Sequence, residues 1–174
     1  MYSKAKIAGH PIHPMLVAFP VAFYTGTLAA FAVYAANGHQ FWLNAAIGLS
    51  IVGAAGAILA ALPGLVDLAF GIPRASQAKK VGVAHGMCNV LALGLFIAAA
   101  VTYVSHWNGP PADATLGLAL SAAGVFLTVI AGALGWMLVQ TYHVGIGLTM
   151  RQAEDEPVVQ QAPVMHMASH RRAS

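Results

Sequence analysis

"MLVAFPVAFYTGTLAAFAVYAA", residues 15–36, runs for six helical turns without a charge. At 1.5 Å per residue such a helix is about 33 Å long. That is enough to cross the roughly 30 Å hydrocarbon core of a bilayer. Lipid offers backbone N–H and C=O groups no partners, so a helix is the element this run must form. Three more uncharged runs follow: Phe41–Leu62, Val81–Ser105 and Thr115–Tyr142. Turn-forming residues separate them, at Asn37-Gly38, at Pro63-Gly64 with Gly71-Ile72-Pro73, and at Asn108-Gly109-Pro110-Pro111.

Composition agrees. Of 174 residues, 59% are hydrophobic and 7% charged, against about a quarter charged in a soluble domain. Such a chain cannot cover a water-facing surface. The expected fold is all-α, an integral membrane four-helix bundle over residues 1–150. A polar tail, 151–174, shows no helical period and is expected to be disordered. The basic residues before the first run (Lys4, Lys6), between the second and third (Arg74, Lys79, Lys80) and after the fourth (Arg151, Arg171, Arg172) fall on one side. The positive-inside rule then places both termini in the cytoplasm. Trp42 and Trp107 mark the outer interface, and Trp136 approaches the inner one.

The net charge of +3 follows from topology and anionic lipid heads. No nucleic-acid module is present, so the expected partners are the lipid bilayer, a redox protein and further copies of the chain. The single cysteine, Cys88, permits no intramolecular disulfide. The first apolar run is too long for a cleavable signal peptide. No phosphate-binding glycine motif and no activated nucleophile is found.

Small residues recur every four positions at Gly53, Ala57, Ala61 and at Gly124, Thr128, Gly132, while Gly82 and Gly86 flank His85. This spacing suits close helix packing, or a slot for a flat cofactor. A two-plus-two helix duplication is conceivable, but the halves share no residue pattern that defines an internal repeat. Pro20 predicts a kink in the first helix.

Topology alone gathers four histidines at the cytoplasmic level. "GHPIHP", residues 9–14, places His10 and His13 at the mouth of the first helix. Pro11 and Pro14 push each preceding histidine towards extended backbone, so both are expected on a stiff, non-helical segment. His85 lies about 6 Å into the third helix, and His143 ends the fourth. Asp67, the one acid between residues 1 and 112, joins them. A carboxylate at membrane depth is costly and usually paired or functional. Asn89 sits one turn beyond His85 on the same face. His39 and His106 read as loop polar groups at the other end. "MHMASH" in the tail holds metal-binding residue types but no fixed geometry.

Imidazole is the commonest metal ligand. Two readings of the cluster follow. His85 and His143 can be the axial ligands of a haem b wedged between helices, with His10 and His13 nearby. Alternatively His10, His13, His85 and His143 together hold Cu, Zn or non-haem Fe, with Asp67 beside them or as a fifth ligand. In both, Asn89 and Asp67 supply hydrogen bonds behind the ligands. A proton relay and a cofactor-free accessory subunit are the remaining classes.

Three stretches carry a family resemblance: "AGHPIHPMLVAFPVAFY", "PGLVDLAFGIPRASQAKKVGVAHGMCNVLALGLF" and "GWMLVQTYHVGIG". Gly-His-Pro-x-His-Pro, the Asp after the second helix, the Pro-Arg with its basic pair, and His-x-x-x-Asn resemble the bacterial domain-of-unknown-function 2231 family over residues 5–150. The fourth-helix ending, Thr141-Tyr142-His143, departs from that pattern. The resemblance implies a multi-pass protein of the bacterial inner membrane. It establishes no chemistry, although relatives with an attached Rieske-type iron–sulfur domain imply redox company. The functional expectation is therefore a haem-b electron-transfer protein, a component of a membrane oxidoreductase.

Overall fold

The computed structural model describes residues 3–146; the tail expected to be disordered lies outside them. A small antiparallel hairpin, β1 (Lys6–Ile7) and β2 (His10–Pro11), precedes five helices. These are α1 (Ile12–Leu16), α2 (Ala18–Asn37), α3 (Gln40–Val66), α4 (Gln77–Tyr103) and α5 (Thr115–Gln140). A π-helical turn, Asp67–Gly71, extends α3. Four spans are long and apolar enough to cross a membrane: Ile12–Asn37, Gln40–Gly71, Gln77–His106 and Thr115–Gln140. The protein is an all-α integral membrane four-helix bundle. The first three spans outrun their uncharged runs because helix propagates into flanking polar residues until a breaker stops it, as Pro73 does, whereas the fourth ends at Gln140, two residues short of its run.

The first span is interrupted at Val17, between α1 and α2. Pro20 lacks an N–H and its ring crowds the carbonyl four residues back, on Leu16. The break falls one turn ahead of the proline. Val17 N–H donates to the His13 carbonyl at 3.2 Å and Val21 N–H to that of Val17 at 3.3 Å. His13 lies inside α1, which corrects the expectation of a non-helical segment. Pro14 is tolerated there because the first N–H groups of a helix have no intrahelical acceptor.

The helices form a square. α2 packs most closely on α3, and α4 on α5, while α2–α5 and α3–α4 contacts close the ring. α2 and α4 face each other across the diagonal and run in the same direction. Three ring pairs bridge that diagonal. His13 meets His85 with centroids 6.0 Å apart and planes at 88°. Tyr24 stacks on Phe96 at 3.7 Å and 3°. Phe31 meets Tyr103 at 4.9 Å and 61°.

Every one of these pairs is separated by the same 72 positions (85 minus 13, 96 minus 24, 103 minus 31). On α3 and α5 the offset is 71, as for Ser50 and Ser121, which bond the carbonyls one turn back, of Ala46 at 2.8 Å and Gly117 at 2.7 Å. The same offset relates Gly53 to Gly124. A Cβ on Gly53 would lie 2.9 Å from Tyr24 Cδ1, and one on Gly124 2.5 Å from Phe96 Cε2. A residue on a two-fold axis meets its own counterpart. Residues 12–66 and 84–137 thus stand in matching positions, as two copies of one unit about a pseudo-two-fold axis along the helices would. Parallel repeats with an axis along the membrane normal are a known membrane architecture. This is the two-plus-two arrangement for which the sequence offered no defensible residue pattern. The residues that carry it are few: His-x-Met at 13–15 and 85–87, and Leu-Ser-x-x-Gly at 49–53 and 120–124.

Candidate functional site

The repeat brings its two histidines together at the end of the bundle that holds the basic loop. α1 delivers His13 and α4 delivers His85, both half-buried. His13 Nδ1 lies 2.8 Å from the carbonyl oxygen of Ala60 on α3. His85 Nδ1 lies 2.8 Å from the carbonyl oxygen of Ala131 on α5. A carbonyl only accepts, so both nitrogens carry the proton and both rings are held in one tautomer. That leaves the lone pair on each Nε2, the nitrogen free to act as an acceptor or a ligand. Ala60 and Ala131 are themselves repeat counterparts.

Two glycines let the rings lie against the backbone. A Cβ on Gly64 would sit 2.8 Å from His13 Nδ1, and one on Gly135 would sit 3.2 Å from His85 Cε1. They too are 71 positions apart (135 minus 64). Ring, carbonyl and glycine therefore recur as a set in each half. The sequence reading missed this set; the shared spacing from Leu-Ser-x-x-Gly to Ala60-x-x-x-Gly64 and Ala131-x-x-x-Gly135 is the signal that could have found it.

The symmetry breaks at one position. Asn89 Nδ2 donates to His85 Nε2 at 3.2 Å and to the His85 carbonyl at 2.9 Å. Its counterpart on the first helix is Val17, which has nothing to donate. Among the described residues no hydrogen bond reaches His13 Nε2.

His10 and Asp67, two other expected members, make contacts of their own. His10 is exposed on β2, with Nδ1 2.9 Å from its neighbour Ala8 O. It rides on the tight turn made by Ala8 and Gly9, both at positive φ. His143 follows the end of α5 at φ 51°. Its neighbours Tyr142 and Val144 pack on Ile72, Ala78 and Leu138. Gly135, beside His85, is about 7.5 Å along the axis from Gln140, where α5 ends. The ring that meets His85 edge-on is that of His13. Asp67 is engaged by the N-terminal segment. Its carboxylate accepts Ser3 Oγ–H at 2.7 Å, Lys4 N–H at 2.6 Å and Ala5 N–H at 3.1 Å. Among the described residues, no group of three or more His, Cys, Asp or Glu side chains is placed to hold a metal ion.

The opposite end is held by polar contacts between loops. Gln40 donates to the His106 carbonyl at 2.8 Å and Asn44 to Asn108 at 2.6 Å. Two surface hollows lie there, one lined by Phe41, Asn44 and Trp107, the other by Tyr34, Ala112 and Asp113. Neither includes a residue of the histidine pair.

Residues 9–147 match the model of a family described as "Predicted membrane protein (DUF2231)". No curated protein and no solved structure matches the chain.

Proposed function

The chain belongs to the DUF2231 family of predicted membrane proteins, and on that premise we propose that it binds one haem b between His13 and His85 and serves electron transfer. The observation that carries this reading is the duplicated set: two imidazoles, each with Nδ1 on a backbone carbonyl, across a pseudo-two-fold axis. Carbonyl-anchored imidazoles are the usual form of a metal-binding histidine, because the bond fixes the tautomer and raises the basicity of the other nitrogen.

Ligand count separates haem from a bare ion. Zn and its neighbours take at least three protein ligands, and this pair offers two. A haem brings four nitrogens of its own and needs two axial ligands at most. Ring spacing fits as well. One metal centre would have to lie within reach of both rings at once. The pair stands at 6.0 Å.

When bound, the haem supplies one-electron chemistry. The chain's own residues do the rest. His13 and His85 hold it, the Ala60 and Ala131 carbonyls keep each ring's proton on Nδ1, and Gly64 and Gly135 leave the rings room. This reading replaces His143 by His13 as the partner of His85, and gives His10 and Asp67 no ligand role. The basic end would face the cytoplasm of a bacterial inner membrane, as the distribution of Lys and Arg favours.

Haem titration of the full chain purified in mild detergent tests this. The expected result is uptake of one haem per chain with an intense Soret band, retained in His143→Ala and lost in His13→Ala. A preparation that takes up no haem, or one in which His143→Ala alone abolishes uptake, overturns it.

A further inference from the structure

The second span ends in the π-helical turn Asp67–Gly71, and two other segments are bonded to the first two residues of that turn. The N-terminal segment is tied to Asp67, whose carboxylate accepts Ser3 Oγ–H and the backbone N–H groups of Lys4 and Ala5. The start of α4 is tied to Leu68, whose carbonyl accepts the Lys79 ammonium. Ser3 is buried, while Lys4, next in the chain, is exposed. Lys4 is thus held at the turn by its backbone, with its ammonium left over. Arg74 comes three residues after Gly71 and Lys80 directly after Lys79, and both are exposed. Among the described residues, no hydrogen bond or ion pair engages the side chains of Lys4, Arg74 or Lys80.

Three cations are therefore gathered about one turn without a counter-charge. Of the two acids among the described residues, Asp113 lies at the opposite end of the bundle. The other, Asp67, has both carboxylate oxygens occupied by the N-terminal segment. Beside the cations stands an apolar side chain: Phe70, within the same turn, is 75% exposed. It belongs to the last turn of a span long and apolar enough to cross a membrane. Cations at the end of such a span complement the phosphate of an anionic lipid, and an exposed ring complements its acyl chains.

We propose that this turn binds the headgroup phosphate of one anionic phospholipid, with Lys4, Arg74 and Lys80 as its cations and Phe70 against the acyl chains. Asp67 is a positioning residue. Its own charge opposes the phosphate, and it serves the site by holding Lys4 in place. The sign of that contribution separates a built site from the general attraction of a basic surface to an anionic membrane. General attraction follows net charge, so removing a carboxylate strengthens it. The built site weakens instead, because loss of the three bonds releases Lys4.

The test is native mass spectrometry of the full chain in dodecyl maltoside, titrated with dioleoylphosphatidylglycerol or dioleoylphosphatidylcholine, with inorganic phosphate as competitor. No haem is needed. One phosphatidylglycerol per chain is expected to bind in preference to phosphatidylcholine and to withstand inorganic phosphate. A cation beside an anionic lipid is worth a factor of about five in affinity. Lys4→Gln, Arg74→Gln and Lys80→Gln should each weaken phosphatidylglycerol binding by about that factor. Asp67→Ala should weaken it as Lys4→Gln does, and the two combined should be no worse than either, since they act on one cation. Asp113→Asn, the same change of charge at the other end, should leave it unaltered. Binding that is unchanged or tighter in Asp67→Ala, equal binding of the two lipids, insensitivity to the three Gln substitutions, or displacement of the lipid by inorganic phosphate overturns the site.

Discussion

His13 and His85 are one position used twice: their rings meet at 6.0 Å and 88°, each with Nδ1 2.8 Å from an alanine carbonyl that is itself a repeat counterpart. A polar pair at membrane depth is expensive to keep. Anchoring both tautomers on backbone carbonyls offsets that cost in part, and leaves two lone pairs that the bundle itself uses only at His85.

The glycines under the rings set the geometry. Gly64→Ala would place a methyl 2.8 Å from His13 Nδ1, and Gly135→Ala one 3.2 Å from His85 Cε1. Overpacking of this kind costs roughly 1–3 kcal/mol. Both variants should weaken haem uptake in a titration, Gly64→Ala more than Gly135→Ala. Gly94→Ala, whose Cβ would meet nothing within 4 Å, should leave it unchanged.

The Tyr24 hydroxyl is buried without a hydrogen-bond partner among the described residues, while its ring stacks on Phe96 at 3.7 Å. An unsatisfied buried polar group costs about 1–3 kcal/mol. Tyr24→Phe keeps the stack and makes the pair Phe–Phe. It should raise the melting temperature in detergent, whereas Gly124→Ala, with Cβ 2.5 Å from Phe96 Cε2, should lower it.

Asp67 ties the N-terminal segment to the end of α3 with three hydrogen bonds. Ala5 then accepts Ile12 N–H at 3.1 Å, which connects the tie to the start of the helix bearing His13. Asp67→Ala removes all three acceptor contacts, and hydrogen bonds to charged groups are worth about 1.5–3 kcal/mol each. Amide hydrogen exchange at Lys4 and Ala5 should accelerate strongly, with exchange in the middle of α2 unaffected.

At the opposite end, Asp113 accepts Thr115 N–H at 2.8 Å. The Thr115 side chain first, and then this backbone bond, hold the Asp113 carboxyl below its ordinary value. A depressed folded value means a contribution present above the unfolded value of about 3.9 and lost as pH falls through the folded one. Exchange at the Thr115 amide should therefore rise on acidification below about pH 4, and the rise should vanish in Asp113→Asn. A profile identical in the two proteins would remove Asp113 from the start of α5.

Much of the fold was legible from hydropathy and breakers, since lipid leaves a long apolar run only one structure to adopt. Placing His13 and His85 at one level needed no more than the direction of each crossing. Which ring faces which did not follow, because it depends on the diagonal of the square, set by packing. His143 follows the end of α5 at Gln140, where its neighbours Tyr142 and Val144 pack over Ile72 and Ala78, a local turn that no sequence signal specified. Asp67 is paired, but its partners, Ser3 to Ala5, are more than sixty residues away and had no local signal. The repeat escaped notice because its axis positions exchange one ring for another, Tyr24 for Phe96 and Phe31 for Tyr103, and only His13 and His85 kept identity.

Electron paramagnetic resonance of the oxidised, haem-loaded protein examines the paired ligands themselves. Two imidazoles with nearly perpendicular planes on one ferric haem give a low-spin signal of strong anisotropy. That signal is predicted for the unmodified chain, and its loss for both His13→Ala and His85→Ala. A low-spin signal that survives unchanged in either variant, or a haem that shows none in the unmodified chain, contradicts the account.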